Sequence, residues 1–186
     1  MAKGKLFVIS GASGVGKSTV LSKVMAGRPD LKFSVSATTR SPRAGEVDGV
    51  SYYFVTKDKF LDMIDNHEFL EYDAHMSNYY GTPKVQLEEK LQTGSVILDI
   101  EPNGAFRVLE ERPDAVLIFI APPSLEELEN RLRNRGDTSE EQIMERLNRV
   151  AWETEQSKRY DHVVVNDHVD TCAKKILDII IAHEAD

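Results

Sequence analysis

The sequence predicts an α/β fold in which helices cover both faces of a parallel β-sheet. Two observations predict it. First, the runs at 6–10, 95–100 and 115–121 are short and apolar on both faces, which is typical of parallel strands buried between helices. Second, these runs alternate with amphipathic helical stretches. The chain of 186 residues is long enough for one domain with a well-buried core and small mobile parts. Strands and helices that alternate in this way are connected by right-handed crossovers.

The composition excludes several classes of protein. The net charge of −8 argues against nucleic-acid binding through bulk electrostatics, so an anionic ligand would need local groups of arginines. The single cysteine, Cys172, excludes an internal disulfide framework and a cysteine-based zinc site, and we interpret it as an apolar filler of the last helix. No apolar run is long enough for a membrane span, or at the N-terminus for a signal peptide. We therefore expect a cytoplasmic protein.

The first strand leads into a glycine-rich turn and a helix that begins at Lys17. Gly11 to Ser18 fits G-x-x-x-x-G-K-[ST], the Walker A pattern, whose backbone N–H groups surround phosphates in front of a helix N-terminus. We expect Lys17 to reach the β- and γ-phosphates and the Ser18 hydroxyl to ligate Mg²⁺. A glycine turn with an incidental lysine is the plainer alternative. The full match predicts a P-loop NTPase fold. The residues expected to bind the nucleoside triphosphate are Gly11, Ala12, Ser13, Gly14, Val15, Gly16, Lys17, Ser18 and Thr19.

Residues 34–92 combine short strands, polar loops and aromatic side chains, and we interpret them as an inserted lobe. The predicted elements are strands at 33–36 and 51–55, a helix at 57–66, a strand pair or a strand with a turn at 78–81 within 68–83, and a helix at 84–92. Arg40 and Arg43 lie in the polar loop between the first two strands. Their planar guanidinium groups would offer paired donors to a phosphate. A solvated basic loop is the alternative interpretation of the same residues.

Asp99 lies near the carboxyl end of the buried strand at 95–100. An acid in this position lies beside the phosphate loop in such folds, where it would hold Mg²⁺ or its waters. A helix-capping acid is the alternative. A helix at 104–111 and a buried strand at 115–121 follow.

The remainder of the chain is predicted to be mainly helical. The predicted elements are a helix from Ser124 to the break at Gly136, a long helix from Thr138 or Ser139 to about Tyr160, a strand at 162–165 and a helix at 169–183. Arg131 and Arg133 lie among acidic residues, and we interpret them as members of surface ion pairs. Arg135, next to Gly136, suggests a small helical lid at 131–154. The core of a single domain at 1–186 then comprises 1–33, 93–130 and 155–186.

Eight short stretches, spread along nearly the whole chain, can be compared with the motifs of known protein families. They are GASGVGKST, SVSATTRSPRAGEVDGVSYYFV, EFLEY, NYYGT, LDIE, APPS, RLRNRG and VVVND. In this order they resemble the guanylate kinase family, and the set is specific although each short piece alone is not. The resemblance implies transfer of the γ-phosphoryl group of ATP to GMP or dGMP, giving ADP and GDP, with Mg²⁺ as cofactor. The expected partners are these nucleotides, with no nucleic acid and no membrane, and the enzyme would be a monomer or a homodimer.

The resemblance also implies roles for individual residues. The GMP site would comprise Ser36, Arg40, Arg43, Tyr52, Glu71, Tyr80, Gly81, Thr82, Asp99 and Glu101. Within it, Ser36, Glu71 and Thr82 would recognise guanine, and the arginines and tyrosines would hold the phosphate. The catalytic residues would be Lys17, Arg43 and the lid arginines Arg135 and Arg146. Arg135, Asn166 and Asp167 would contact ATP, and Ser18 and Asp99 would hold Mg²⁺.

The chemistry of guanine supports a carboxylate at position 71 independently of the family. Guanine presents N1–H and an exocyclic amine, both of which donate, and one carboxylate accepts both hydrogen bonds. Adenine has neither donor, and sites that reject a ligand in this way discriminate by roughly 10⁴- to 10⁵-fold. The transfer needs no general base, because the attacking phosphate oxygen of GMP is already anionic.

Two positions depart from the family pattern. Ala12 stands where a proline is common, which leaves the backbone donors of the loop in place. Asn103 stands where a glutamine is usual, so a contact made by that glutamine is not carried over to this chain.

Three rival interpretations fit the sequence less well. A non-catalytic guanylate-kinase-like module that binds proteins usually lacks the phosphate-loop residues, which are intact here. A GTP-hydrolysing switch would need N-K-x-D and D-x-x-G, and neither Asn166-Asp167 nor the run after Asp99 fits them. A kinase for another nucleotide would leave Glu71 and Thr82 without a reason.

Overall fold

The computed structural model describes residues 4–75, 77–124, 126, 129, 133 and 140–185. In chain order its elements are β1 (Leu6–Gly11), α1 (Lys17–Gly27), β2 (Lys32–Phe33), β3 (Ala37–Thr38), β4 (Tyr53–Phe54), α2 (Lys57–Asp65), β5 (Phe69–His75), β6 (Asn78–Pro83), α3 (Lys84–Leu91), β7 (Val96–Asp99), α4 (Pro102–Glu111), β8 (Val116–Ala121), α5 (Glu140–Gln156), β9 (His162–Val165) and α6 (Val169–Glu184). A 3₁₀ turn, Ser157–Arg159, follows α5. The chain divides into two compact units, Met1–Phe7 with Asp30–Ala115, and Val8–Pro29 with Val116–Asp186.

The predicted parallel sheet is confirmed. Strand β1 is common to both units: in the first it lies next to β7, which pairs in parallel with β2. In the second it lies next to β8, which pairs in parallel with β9. Every residue of β8 is buried, as expected for a strand that is apolar on both faces. Asp99 is the last residue of β7, so the acid does stand at a carboxyl strand end.

The first unit also contains a second sheet, with the strand order β4-β3-β6-β5, in the predicted lobe. Strands β5 and β6 form an antiparallel pair, and the predicted strand pair is thereby confirmed. A turn within 78–81 is wrong, because β6 occupies those residues and the turn residue with positive φ is Ser77. Aromatic rings from α2 and β5 form the local core, with the rings of Phe60 and Phe69 stacked 4.4 Å apart.

The single strand predicted at 33–36 is wrong. Lys32–Phe33 pairs with β7, whereas Ala37–Thr38 pairs with β6 in the other sheet. The N–H of Ser34 still donates to the carbonyl of Ile97 at 2.8 Å, and the chain then passes from one sheet to the other. Both Ser34 and its neighbour Val35 are buried, so the alternation of apolar and polar residues does not mark one buried face.

The helices agree with the sequence except at some ends. Helix α4 begins at Pro102 rather than at residue 104, because a proline fits the first helical turn, where its missing N–H is not needed. The long helix ends at Gln156, before the 3₁₀ turn, rather than near Tyr160. The predicted helix at 124–136, its break and the start of the next helix lie almost wholly outside the described residues.

In the second unit, α1 and α6 pack against each other along their apolar faces. Val20 and Val24 of α1 are buried, as are Ile176 and Cys172 of α6. Burial raises the pKa of the Cys172 thiol to about 11, so this cysteine is the apolar filler that the sequence predicts. No helix in the described part of the chain is long and apolar enough to cross a membrane.

Candidate functional site

The glycine-rich turn in the second unit has the backbone that the Walker A pattern requires. Gly14 and Gly16 have φ values of 79° and 89°, which other residues adopt only with strain. Gly16 is the N-cap of α1, so the helix begins at Lys17 as predicted. The loop is anchored at its start, where the N–H of Ala12 donates to the carbonyl of Ile120 at 3.2 Å. Ser18 and Thr19 follow in the exposed first turn of α1.

Two buried side chains hold this loop from within the same unit. The Asn166 amide donates to the carbonyl of Val15 at 2.7 Å, and the Glu153 carboxylate accepts the N–H of Ser13 at 2.8 Å. Asn166 is 4% exposed and Glu153 is 3% exposed. Asn166 therefore braces the loop, and its predicted contact to ATP stays a prediction.

Glu153 is a residue of this site that the sequence did not predict. Its other carboxylate oxygen accepts the Nε–H of Arg149 at 3.0 Å, and in the sequence an arginine four residues before a glutamate indicates an ordinary helical surface pair. Only the fold reveals that this pair is buried on the glutamate side and reaches the phosphate loop, 140 residues away in the chain.

The predicted lid and adenine-side residues are placed only in part. Arg135 lies outside the described residues, as does Arg131. Arg146 belongs to α5, and its side chain is likewise not among those described. Arg133 pairs with Glu129 at 2.8 Å and with Glu140 at 2.5 Å, which confirms the surface ion pair predicted for it. Asp167 is exposed and accepts the N–H of His168 at 2.7 Å, which holds the pKa of Asp167 below its usual range.

Two of the three predicted guanine-recognising residues, Glu71 and Thr82, lie on paired strands of the first unit. Glu71 in β5 stands opposite Thr82 in β6, and the Thr82 hydroxyl donates to Glu71 Oε1 at 2.6 Å. Glu71 is 6% exposed and Thr82 is fully buried. Burial raises the pKa of Glu71, while the hydrogen bond from Thr82 opposes this rise. Glu71 is therefore a buried carboxylate in this lobe, and an ionised carboxylate offers about four lone-pair sites to hydrogen-bond donors.

Gly81, the residue before Thr82 in β6, is required by the packing of the lobe. A Cβ at Gly81 would lie 2.8 Å from Cδ1 of Phe69 and 3.1 Å from Cζ of Phe60. The aromatic core of the lobe therefore requires glycine there, and close approach to a nucleotide stays a prediction. Ser36, half-buried before β3, accepts the N–H of Tyr53 at its carbonyl, and Glu101 is the exposed N-cap of α4.

Three of the four predicted phosphate-holding residues form one aromatic and cationic group, namely Arg40, Tyr52 and Tyr80. The Arg40 guanidinium lies 5.3 Å from the ring centroid of Tyr52, and the rings of Tyr52 and Tyr80 meet edge to face at 6.1 Å. Arg40 also forms a bidentate pair with Glu46, at 2.9 Å for each nitrogen. This bond holds the pKa of Glu46 at about 2.

Arg40 and Arg43, which were predicted to have the same role, have different surroundings. Arg40 is half-buried and its guanidinium is engaged by Glu46, a residue that sequence analysis missed. Arg43 is exposed, and its backbone N–H donates to the same Glu46 carboxylate at 2.7 Å. Glu46 thus fixes the loop through both arginines while leaving the Arg43 side chain at the surface.

A cavity of about 450 Å³ in the first unit lies beside Glu71. Its wall includes Tyr72, Arg107 and Glu110. Apart from Glu71, none of the residues predicted to bind GMP lines it. We therefore do not assign this cavity to the nucleotide.

Comparison with known proteins shows the family of the chain. A family model described as guanylate kinase matches residues 3–183. The chain is similar to the guanylate kinase of Trichodesmium erythraeum, with 48% identity over 98% of both chains. It is similar to that of Prochlorococcus marinus, with 46% identity over 95% of this chain and 96% of the relative.

A solved structure gives the same result. The crystal structure of guanylate kinase from Anaplasma phagocytophilum matches with a TM-score of 0.78 and 36% identity, over 97% of this chain and 86% of that one. These full-length relatives, together with the intact phosphate loop, do not favour a non-catalytic binding module. The chain belongs to the guanylate kinase family of ATP:GMP phosphotransferases.

Proposed function

We propose that this enzyme transfers the γ-phosphoryl group of ATP to GMP or dGMP and that Glu71 selects the guanine base. The observation that carries the guanine assignment is the buried carboxylate of Glu71, to which the Thr82 hydroxyl donates at 2.6 Å. A buried carboxylate is stabilised by further donors, and the N1–H and amine of guanine would supply two. AMP offers neither donor, so its base would add no hydrogen bond to the buried carboxylate.

Phosphoryl transfer requires the protein to align the two nucleotides and to neutralise charge, and it requires no covalent intermediate with the protein. An oxygen of the GMP phosphate forms a bond to the γ-phosphorus as the bond to the bridging oxygen of ADP breaks. Lys17 and the loop N–H groups would hold the β- and γ-phosphates, and Arg43 would hold the acceptor phosphate. Arg135 and Arg146 would neutralise charge on the transferring group.

The residues proposed for Mg²⁺ suit that ion. The Ser18 hydroxyl lies in the exposed first turn of α1, and the Asp99 carboxylate ends β7. Both are hard oxygen donors, and Mg²⁺ in such sites takes only one or two protein ligands besides water and phosphate. When bound, the ion would neutralise part of the phosphate charge.

We further propose a cytoplasmic enzyme, monomeric or homodimeric, that acts on free nucleotides. The net charge of −8 supports small nucleotides rather than nucleic acid as partners.

The direct test is coupled detection of ADP from Mg²⁺-ATP with GMP, dGMP, AMP, UMP and dTMP in parallel. We expect turnover with GMP and dGMP and a rate for AMP that is lower by roughly 10⁴-fold or more. GMP binding in calorimetry without ADP formation would overturn the proposal in favour of a binding module. Turnover of another monophosphate would mean that Ser36, Glu71 and Thr82 are misassigned.

A second prediction concerns the contact between Glu153 and the phosphate loop. Glu153→Ala leaves the N–H of Ser13 without its carboxylate acceptor and removes the ion pair with Arg149, so we expect the free energy of unfolding to fall by about 1–3 kcal/mol. ATP affinity should fall about tenfold because the loop loses its anchor, while GMP affinity should be unchanged. Thermal denaturation and calorimetry with each nucleotide measure these effects.

The matched control for that experiment is Glu155→Ala. Glu155 lies in the same helix but is exposed, and it pairs with Lys158 at 2.7 Å. Its substitution should change neither stability nor ATP affinity appreciably, because exposed ion pairs contribute little. If Glu153→Ala behaves like this control, Glu153 does not support the loop.

A further inference from the structure

The first turn of α4 meets the Glu71 carboxylate at a glycine. A Cβ built on Gly104 would lie 2.8 Å from Glu71 Oε2 and 3.4 Å from its Cδ. Cβ atoms essentially never approach other atoms within 3.0 Å, so a side chain at position 104 is incompatible with the present place of the carboxylate.

The backbone itself does not require this glycine. The described glycines with positive φ are Gly14, Gly16, Gly45, Gly49 and Gly94, and Gly104 is not one of them. It lies inside a helix, where glycine is less favourable than alanine. The close approach of Glu71 is therefore the physical reason for a glycine here.

The carboxylate is held on both sides by this arrangement. Thr82 donates to Oε1 at 2.6 Å, and Oε2 lies against the first turn of α4, whose N-cap is Glu101. The first turn of a helix carries partial positive charge, which favours a nearby carboxylate. The glycine lets this oxygen approach the turn without a methyl group in between.

We propose that Gly104 is a positioning residue that sets where the Glu71 carboxylate lies and thereby the preference for guanine. This inference rests on the proposed role of Glu71 as the guanine acceptor. A methyl group at 104 would meet the far ends of two side chains, Oε2 of Glu71 at 2.8 Å and Cδ1 of Ile100 at 3.3 Å, rather than backbone atoms. The added methyl group displaces the Glu71 carboxylate, which is proposed to accept hydrogen bonds from guanine. We therefore expect Gly104→Ala to change the selectivity for the base more than the free energy of unfolding.

The test is Gly104→Ala, assayed with GMP and with IMP, whose base lacks the exocyclic amine of guanine. A displaced carboxylate serves two donors less well than one, so we expect the ratio of kcat/KM for GMP over IMP to fall about tenfold. The KM for ATP should be unchanged. The melting temperature should stay the same or rise, because alanine is the better helix former.

Glu110→Ala, an exposed position on the same helix, is the matched control and should leave the GMP to IMP ratio unchanged. A Gly104→Ala protein with a lowered melting temperature and equal losses for GMP and IMP would overturn the inference in favour of a purely structural glycine.

Glu71→Gln, measured in parallel, separates this inference from the proposed function. If Glu71→Gln lowers the GMP to IMP ratio and Gly104→Ala does not, Gly104 has no positioning role while Glu71 keeps its own. If neither variant changes the ratio, the assignment of Glu71 itself fails. In the double variant, the penalty from Gly104→Ala should shrink, because substitutions that act through one contact are not additive.

Discussion

Glu71→Gln is expected to lower kcat/KM for GMP by roughly 10²- to 10³-fold, because two hydrogen bonds to a charged acceptor are weakened at once. In the unsubstituted protein the Thr82 hydroxyl donates to Glu71 Oε1 at 2.6 Å, and the amide oxygen of the glutamine can still accept this hydrogen bond. Its NH₂ group, however, faces one of the two guanine donors. ATP affinity should change little, since adenine and the triphosphate make no use of this acceptor. Calorimetry with each nucleotide measures both affinities.

The fold should tolerate this substitution. Burial raises the pKa of Glu71, so the folded protein binds a proton there more tightly than the unfolded chain does. Such a carboxyl costs stability as the pH rises above its unfolded pKa, and Glu71→Gln removes that cost at neutral pH. Glu110→Gln, which removes one exposed charge from the same unit, is the control and should keep full activity. Equal losses of GMP and ATP affinity in Glu71→Gln would refute the assignment.

The same raised pKa predicts a pH dependence. As the pH falls towards the pKa of Glu71, the carboxylate gains a proton, accepts less well, and the KM for GMP should rise. In Glu71→Gln this part of the profile should be absent. The phosphate of GMP titrates in the same way with both proteins, so the difference between the two profiles reports on Glu71. Identical profiles would show that Glu71 does not accept from the base.

The sequence was sufficient to predict the parts of the fold that depend on local pattern. The Walker A stretch predicts the strand, the turn and the helix beginning at Lys17 because each depends on neighbouring residues alone: an apolar run forms the buried strand and glycines allow positive φ in the turn. The doubly apolar run at 115–121 predicts β8 because burial on both faces leaves no polar position. Glu71 and Thr82 were found through the family resemblance, and their pairing across β5 and β6 is consistent with that prediction.

What the sequence did not predict depends on contacts between distant residues. Glu153 reads as a surface acid until the fold brings it to Ser13. Gly104 reads as an ordinary residue of α4 until β5 brings Glu71 against it. The strand predicted at 33–36 is wrong for a related reason. Lys32–Phe33 pairs with β7 in one sheet and Ala37–Thr38 pairs with β6 in another, and the local sequence pattern does not indicate which strand each residue pairs with.

Arg43→Ala is expected to lower the turnover number by about 10³-fold, because Arg43 is proposed to hold the attacking phosphate in the transition state, where arginines in related enzymes contribute roughly 10³- to 10⁵-fold. The structure separates this residue from Arg40, whose guanidinium is engaged by Glu46 at 2.9 Å. The Arg43 side chain is exposed, and only its backbone N–H contributes to the loop, through Glu46. Alanine keeps that N–H, so the loop should keep its shape. Steady-state kinetics and circular dichroism measure the two effects.

Two further variants make the result specific to a guanidinium at this position. Arg43→Lys keeps the charge but loses the planar pair of donors, so it should recover only part of the rate. Lys59→Ala removes an exposed positive charge from α2 in the same unit and should leave the rate unchanged, because screened surface charges act weakly at a distance. An unchanged rate in Arg43→Ala with normal circular dichroism would remove Arg43 from the site. Full recovery in Arg43→Lys would instead mean that charge alone is needed, and the paired hydrogen bonds proposed for this arginine would be wrong.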